Sequence, residues 1–279
     1  MASGTELAKA YVQIVPSANG IKGSLENAMG NEADQAGEKA GNSIASKIKG
    51  IIVAAGIGKV LASSFTEGAA LEQSIGGIET LYKGSAEKMK AYASEAYKTS
   101  GVSANAYMEN VTSFSASLIS SLKGDTEKAA AVADRAMRDM SDNSNKFGTN
   151  IQDIQNAYQG FAKQNYTMLD NLKLGYGGTK EEMQRLLSDA QKLSGQKYDI
   201  SNLSDVYTAI GVIQDNLGIT GTTAKEAAST FSGSFASMKA AAQDFLGNVA
   251  IGGDVTGTLS NLLSTASTFL FDNAIPMAF

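Results

Sequence analysis

The stretch Lys163–Leu187, KQNYTMLDNLKLGYGGTKEEMQRLL, places a loop directly before a helix start. Its residues 165–178 are rich in Asn, Gly and Tyr, and the run GYGG breaks any regular pattern, so they predict a loop. Thr179 and Glu182 then have the spacing of a capping box, which closes a helix N-terminus. The side chains predicted to pack the turn are Tyr166, Met168, Leu169 and Tyr176. The face of the helix that follows is Met183, Leu186, Leu187 and Ala190.

The same glycines suggest an alternative, a phosphate-binding loop. Such a loop follows a strand and continues into Gly-Lys-Ser/Thr before its helix. Neither feature is present around Gly175–Gly178, so a helix-to-helix turn is the favoured interpretation.

Helical patterning extends on both sides of this stretch. Pro16 and Pro276 are the only prolines, which leaves the long interval between them free of the strongest helix breaker. Asp125 is a predicted N-cap after Gly124, and Arg135, Arg138 and Asp139 are predicted to face outward. Apolar residues recur at helical spacing in four segments. These are Ala129, Val132, Ala133, Ala136, Met137 and Met140; Ile151, Ile154, Tyr158 and Phe161; Leu203, Val206, Tyr207, Ile210, Ile213 and Leu217, closed by Gly218; and Leu259, Leu262, Leu263, Ala266, Phe269 and Leu270, ending before Pro276.

A second capping box is predicted at Thr223 and Glu226. Beyond it, apolar residues alternate by four and three, which is typical of a coiled coil or of an antiparallel helical hairpin. They are Phe231, Phe235, Met238, Ala242, Phe245 and Val249. Both interpretations stay open because the repeat is short.

The N-terminal quarter has a different pattern. Leu7–Val15 is rich in β-branched and aromatic residues and is followed by a turn at 16–20, so it predicts a short strand. Residues 21–46 and 50–72 are predicted helices built from small side chains. The apolar run Ile51–Gly58 is too short to span a bilayer. A second interpretation of residues 21–71 is a segment that enters a membrane or lines a channel after a conformational change.

Composition removes several classes of function. The chain has no His and no Cys, so it lacks the usual zinc ligands and any Ser/His or Cys/His pair, and it cannot form disulfides. A net charge of −5 without a basic cluster disfavours sequence-specific nucleic-acid binding. We therefore expect a non-enzymatic protein that uses no cofactor and no metal. The N-terminus has no signal-peptide pattern, so we expect the protein to stay in the cell that makes it.

Three patches resemble the tape measure proteins of long-tailed bacteriophages: Gly124–Gly160, Lys163–Leu187 and Thr230–Phe245. Together they cover most of 124–245. The residues that look like a family signature are Asn165, Tyr166, Leu169, Asp170, Asn171, Leu174, Gly175, Tyr176 and Gly177, and we expect them to be structural.

The resemblance implies the N-terminal portion of a phage or prophage tape measure protein. Such a protein sets tail length, scaffolds the tail tube from inside its lumen and leaves the tail ahead of the DNA. Its partners would be the tail tube protein, tail assembly chaperones, tail tip proteins and copies of itself, with host membrane contact during ejection. Its location would be the virion tail, and the host cytoplasm during assembly. Because family members are much longer, we expect the sequence to be a fragment.

The expected fold is all-α, an extended helical array with a compact module and one short N-terminal strand. The expected divisions are the strand and turn at 1–20, a small-residue segment at 21–75, the compact module at 76–220 and amphipathic helices at 221–279 that lead into a missing C-terminal region.

Two other functions stay open. A membrane-active helical protein, either pore-forming or a secreted effector, would use Gly50–Ser64 and the last helix. A hydrolase that relies on carboxylates alone is the third interpretation, although no paired-acid motif supports it.

Overall fold

Helices dominate the part of the chain that the computed structural model describes, residues 57–277, with side chains for residues 66–276. The fold there is all-α, and no strand occurs within residues 57–277. The α-helices are α1 Ile57–Tyr82, α2 Ala86–Ser94, α3 Ala96–Thr99, α4 Ala104–Ser121, α5 Thr126–Phe147, α6 Ile151–Ala162, α7 Lys180–Ser194, α8 Leu203–Asn216, α9 Thr222–Ser229, α10 Phe231–Ile251, α11 Val255–Ser267 and α12 Ile275–Met277. Two 3-10 turns, Lys83–Ser85 and Leu169–Leu172, and a π-helical segment, Thr268–Ala274, complete the described elements.

Most of the longer helices begin at a side chain that accepts a hydrogen bond from the first turn. The caps are Ser103, Asp125, Asn150, Thr179, Asn202, Thr230 and Asp254. Each satisfies a backbone N–H that has no partner within its own helix. The predicted N-cap at Asp125 is confirmed, because its carboxylate accepts from Lys128 N at 3.0 Å. Gly148, Gly195 and Gly252 close three of these helices in the left-handed conformation that a Cβ disfavours.

The main core is one cluster of buried apolar side chains drawn from residues 71–219, on helices α1–α8 and the connections between them. Aromatic residues form its centre. Phe114 meets Tyr207 edge-on with centroids 5.4 Å apart, and the ring of Tyr207 lies 5.0 Å from that of Tyr158. The Tyr207 hydroxyl donates to Tyr158 O at 2.8 Å, so a polar atom is satisfied inside the apolar layer.

The predicted apolar stripes of α5, α6 and α8 face this core. On α5, Val132 is half-buried and the other predicted residues are buried, and on α6 only Ile151 is half-buried. Leu217 is an error in the α8 prediction: it is 48% exposed, because it stands at the C-cap just before Gly218 turns the chain. The predicted stop at Gly218 is confirmed by its φ of 64°.

Asp139 is a second error, since its side chain is fully buried rather than outward-facing. It lies against Gly211 of α8 and accepts a hydrogen bond from Arg135 Nε at 2.7 Å. Arg135 is itself half-buried, and Arg138 is the more exposed of the two arginines. Because α8 carries a glycine at the contact, the two helices approach closely enough to enclose the ion pair.

The capping box predicted at Thr223 and Glu226 is wrong. Helix α9 starts two residues earlier than this box requires, with Gly221 at its N-cap and no side-chain cap from its own sequence. The carboxylate of Asp142, on α5, accepts from Gly221 N and Thr223 N, both at 2.7 Å. A side chain distant in sequence therefore replaces the local cap.

A coiled coil and an antiparallel hairpin were the two arrangements predicted for the apolar repeat of α10. The structure has the hairpin, formed by α10 and α11. Phe231 and Phe235 of α10 lie 5.1 and 5.3 Å from Phe269, at the far end of the hairpin. The two rings are nevertheless 43% and 47% exposed, so they do not form a buried seam. The buried face of α10 is instead Ser234, Ser237, Ala240, Ala241, Asp244, Phe245 and Gly247.

The last predicted helix also differs from the structure. Leu259 and Ala266 are buried, but the pattern passes into π-helix at Thr268, and Pro276 lies inside the short α12 instead of beyond the last helix. Pro276 is the second residue of α12, which follows the π-helical segment without a break, so the proline lies inside a continuous helical stretch.

The helix predicted at 50–72 is described only from Ile57, and it continues to Tyr82, ten residues further than expected. The predicted strand at Leu7–Val15 and the predicted helix at 21–46 lie outside the described residues. None of the helices within residues 57–277 is at once long and apolar enough to cross a bilayer. The described residues belong to one compact unit.

Candidate functional site

The signature loop, residues 165–178, is joined to α6 by a tight turn. Asn165 N donates to Gly160 O at 2.9 Å, and the Asn165 side chain accepts from Thr167 N at 3.1 Å. At the other end of the loop, Gly178 lies so close to the backbone of Thr167 that a Cβ at this position would collide with it. The two ends of the loop therefore touch, and only glycine fits at the closing point.

Apolar side chains anchor the loop to the main core. Tyr166, Leu169 and Leu174 are buried, and Tyr166 stacks on Phe161 with centroids 6.1 Å apart. The Tyr166 hydroxyl donates to Ile200 O at 3.2 Å. Met168 contradicts the prediction that it packs the turn, because it is 42% exposed.

A buried hydrogen bond ties the loop to α5. Asn143 Nδ2 donates to Leu172 O at 2.9 Å, and Asn143 is fully buried. Leu172 belongs to the 3-10 turn in the middle of the loop. A buried Leu172 carbonyl without a partner would be costly, so this bond holds the middle of the loop against α5.

The outer half of the loop is braced by charged residues of α7. Arg185 lies over the Tyr176 ring at 4.3 Å and donates to Gly175 O at 2.7 Å. The predicted capping box at Thr179 is half confirmed: Glu182 N donates to the Thr179 hydroxyl at 3.2 Å. The Glu182 carboxylate does not return to Thr179 but accepts from Gly177 N at 3.0 Å.

The electrostatics of this brace follow from its contacts. The hydrogen bonds from Arg185 and from Gly177 N lower the pKa of Glu182 to about 2. Burial, helped by the hydrogen bond to Asp189, raises the pKa of Tyr176 to about 12. Glu182 is thus a carboxylate and Tyr176 a neutral phenol near pH 7.

The structure divides the predicted signature residues into two groups. Tyr166, Leu169 and Leu174 point into the core, where they pack the loop. Outside are Asn165, Asp170 and Gly175, with Asn171, Tyr176 and Gly177 half-buried. Two of the signature residues, Leu174 and Tyr176, line an open groove of about 270 Å³ between α7 and α8. The groove is lined by Leu174, Tyr176, Asp189, Lys192, Leu193, Ile213, Asn216 and Leu217.

This groove is the candidate contact surface beside the signature loop. Leu193 and Leu217 are 50% and 48% exposed at its rim, while Asp189 and Lys192 pair at 2.8 Å. An apolar floor with a charged edge suits the side chains of another protein.

Sequence reasoning missed a polar cluster that joins α5 to α8 and α9. Arg135 bonds Asp139 and Asp215, each at 2.7 Å, and Asn145 Nδ2 donates to the Thr223 hydroxyl at 2.9 Å. Burial raises the pKa of Asp139 to about 7 against the opposing effect of Arg135. The signal was present in the run Ser141–Asn145, SDNSN. Five consecutive polar residues cannot all face solvent on one side of a helix, so some of them must point inward.

A third feature is the Phe cluster, defined as Phe231, Phe235 and Phe269. Phe231 and Phe235 stack almost parallel, with centroids 6.5 Å apart. Exposed Phe271 and Ile275 belong to the same C-terminal helices. Apolar residues exposed together mark a contact surface more often than isolated ones do.

Comparison with protein-family models, with curated proteins and with solved structures finds no match to this chain. Function is therefore inferred from the sequence and from this geometry.

Proposed function

We propose that the chain is the N-terminal portion of a phage tail tape measure protein, which sets tail length and scaffolds tube assembly, with a later role in DNA ejection. The observation that carries the proposal is the sequence resemblance over Gly124–Phe245. Its central stretch forms the expected loop and a helix capped at Thr179, which supports the proposal at the level of local structure.

The proposal assigns different roles to different parts of the protein. The longest described helix, α1, has 26 residues and spans about 39 Å at 1.5 Å per residue. The described helices pack back on one another, so they do not add length in proportion to their residue number. The extended helical array that measures the tail would lie elsewhere in the protein, while this module would organise assembly.

The partners follow from the same division. The groove beside the signature loop and the Phe cluster offer apolar surfaces for tail assembly chaperones, for the tail tube and tail tip proteins, or for further copies of the chain. These contacts would form in the host cytoplasm and persist in the virion tail. The net charge of −5 suits a protein that does not hold DNA electrostatically.

Paired in-frame deletions in the full-length gene of the producing phage test the proposal. One removes helix α7, Lys180–Ser194, and the other removes 15 residues of helical sequence outside residues 1–279. The outer deletion is expected to shorten tails by about 22 Å, measured by electron microscopy. The α7 deletion is expected to stop tail assembly without producing shortened tails.

The outcomes separate the two parts of the proposal. Tails that shorten by the same amount after the α7 deletion would show that the module itself measures length. Normal tails and normal infection after both deletions would remove the phage function altogether.

A membrane-active helical protein, pore-forming or a secreted effector, is the second candidate. The observation that favours it is the exposed apolar surface of α10 and the C-terminal helices, including Phe231, Phe235 and Phe271. Purified protein would then release dye from lipid vesicles, and the double variant Phe231→Ser/Phe235→Ser would release less. No leakage at any protein concentration would rule this function out.

A further inference from the structure

The main core ends at residue 219. Every buried member of that cluster, and every half-buried residue packed on it, lies between Leu71 and Ile219. Helices α9–α12, residues 222–277, contribute none; we call them the C-terminal arm. Within the arm, Ala240 and Ala241 form a separate small cluster with Tyr97. Within residues 66–276, the arm therefore adds no side chain to the main core, although the two pack together in one compact unit.

Hydrogen bonds from α5 hold the start of the arm. Asp142 is buried, and its two carboxylate oxygens accept from Gly221 N and Thr223 N, both at 2.7 Å. Asn145 adds a bond to the Thr223 hydroxyl at 2.9 Å. These contacts satisfy the N-terminus of α9, which has no cap of its own. They form a latch between the two units.

A similar contact holds the middle of the arm. Asp244 of α10 is buried and accepts from Ala104 N, at the start of α4, at 2.7 Å. Beside it, Gly247 allows Leu71 of α1 to approach, and Gly68 lies against Ala250 in the same way. Caps and small residues give this face a close fit, and Phe245 is buried on the same side of α10.

The connection between the units has the conformational freedom of a hinge. Gly218 and Gly221 have φ angles of 64° and 84°, and they flank Ile219, the last residue of the main core. Positive φ costs glycine almost nothing, so the chain can change direction here without strain.

We propose that the C-terminal arm opens from the main core as one unit, hinged at residues 218–221 and latched by Asp142. Opening leaves the main core folded, because its buried cluster contains no residue of the arm. It uncovers the face of α1 around Leu71 and the small-residue face of α10, which are complementary helical surfaces. Such partial openings are drawn from the units of a protein that share the least apolar core.

Native-state thiol labelling tests the opening, because the chain has no cysteine of its own. Ala241→Cys supplies an arm probe and Ala157→Cys a core probe, and they are matched, since both positions are fully buried and neither substitution removes a hydrogen bond. The whole chain is labelled with a small disulfide reagent at increasing urea concentrations. The arm probe is expected to react faster than the core probe by about tenfold or more at low urea, and with a weaker urea dependence.

The latch is tested in the same assay. Asp142→Ala is expected to raise the labelling rate of the arm probe by about tenfold or more and to leave the core probe nearly unchanged. Asp125 caps its own helix, α5, by accepting from Lys128 N. Asp125→Ala therefore serves as the matched control and should not raise labelling of the arm probe selectively. Asp142→Asn, which keeps one acceptor oxygen, should give a smaller rise.

A locked variant guards against effects of the probes themselves. A Cβ at Gly247 would lie 3.7 Å from Leu71 Cβ, within the range of a disulfide. Oxidised Leu71→Cys/Gly247→Cys protein should lose the rapid exchange of arm amides, and reduction should restore it. Equal labelling of the arm probe and the core probe at every urea concentration, or arm exchange unaffected by the disulfide, would overturn the proposal.

Discussion

The main core and the C-terminal arm are both helical, yet they are held together by different means. The main core buries Tyr, Phe, Met and Leu side chains in one continuous cluster. Within residues 66–276, the contacts that hold the arm include carboxylates that cap helices across the boundary, glycine and alanine contacts, and a small apolar cluster with Tyr97. Helical patterning alone therefore does not show how firmly a helix is fixed, since α8 and α10 look equally apolar in sequence.

A substitution in the main core should have the largest effect. Phe161 is 2% exposed and packs on Tyr158 and Tyr166. Phe161→Ala is expected to lower the free energy of unfolding by about 3–5 kcal/mol, measured by urea denaturation. The loss should appear in both regions, because the core must be folded for the arm to dock. A loss of stability confined to one region would show that the arm does not need the folded core in order to dock.

Removal of the latch should have the next largest effect, and only on the arm. Asp142→Ala leaves Gly221 N and Thr223 N without their acceptor, and a lost hydrogen bond to a charged group costs about 1.5–3 kcal/mol. Exchange of the arm amides should rise by the corresponding factor. If the amides of α6 and α8 respond equally, the two regions are one cooperative unit.

The buried Asp244 should make the arm sensitive to pH. Burial raises its pKa to about 7, and the neighbouring Glu67 acts in the same direction. Between an unfolded pKa near 4 and this value, the folded state holds the extra proton, so stability falls as pH rises. Relative to Asp244→Asn, the natural chain should lose up to about 1.4 kcal/mol per pH unit in this window. A difference independent of pH between about 4 and 7 would contradict this assignment.

The smallest effect is expected at the exposed Phe cluster. Phe235→Ala makes the same chemical change as Phe161→Ala, but the ring is 47% exposed. We expect a loss of about 1 kcal/mol or less in urea denaturation, since much of the ring is already in water. A loss as large as that of Phe161→Ala would show that the arm has an apolar core of its own.

The sequence predicted the elements that depend on local signals. The all-α class, the cap at Asp125, the loop before Thr179 and the apolar face of α8 each follow from residues close together in the chain. The buried face of α10 could not be found in this way, because Ser234 and Asp244 look like surface residues until α1 and α4 are placed against them.

The candidate site shows the same limit. Tyr166, Leu169 and Leu174 could be singled out because they are apolar residues in a polar loop. The bracing by Arg185 depends on the path of the loop back to α7. Asp142 could not be recognised as a cap for α9, because the two are separated by about eighty positions and only the tertiary fold brings them together.

Hydrogen exchange of the unaltered chain at increasing urea concentrations, resolved by peptide with mass spectrometry, tests the difference between the two regions most directly. We expect the amides of residues 222–277 to share one opening free energy, lower than that of residues 104–216, and the two values to merge only near global unfolding. A single opening free energy for slow amides in both regions at low urea would contradict this division of the molecule.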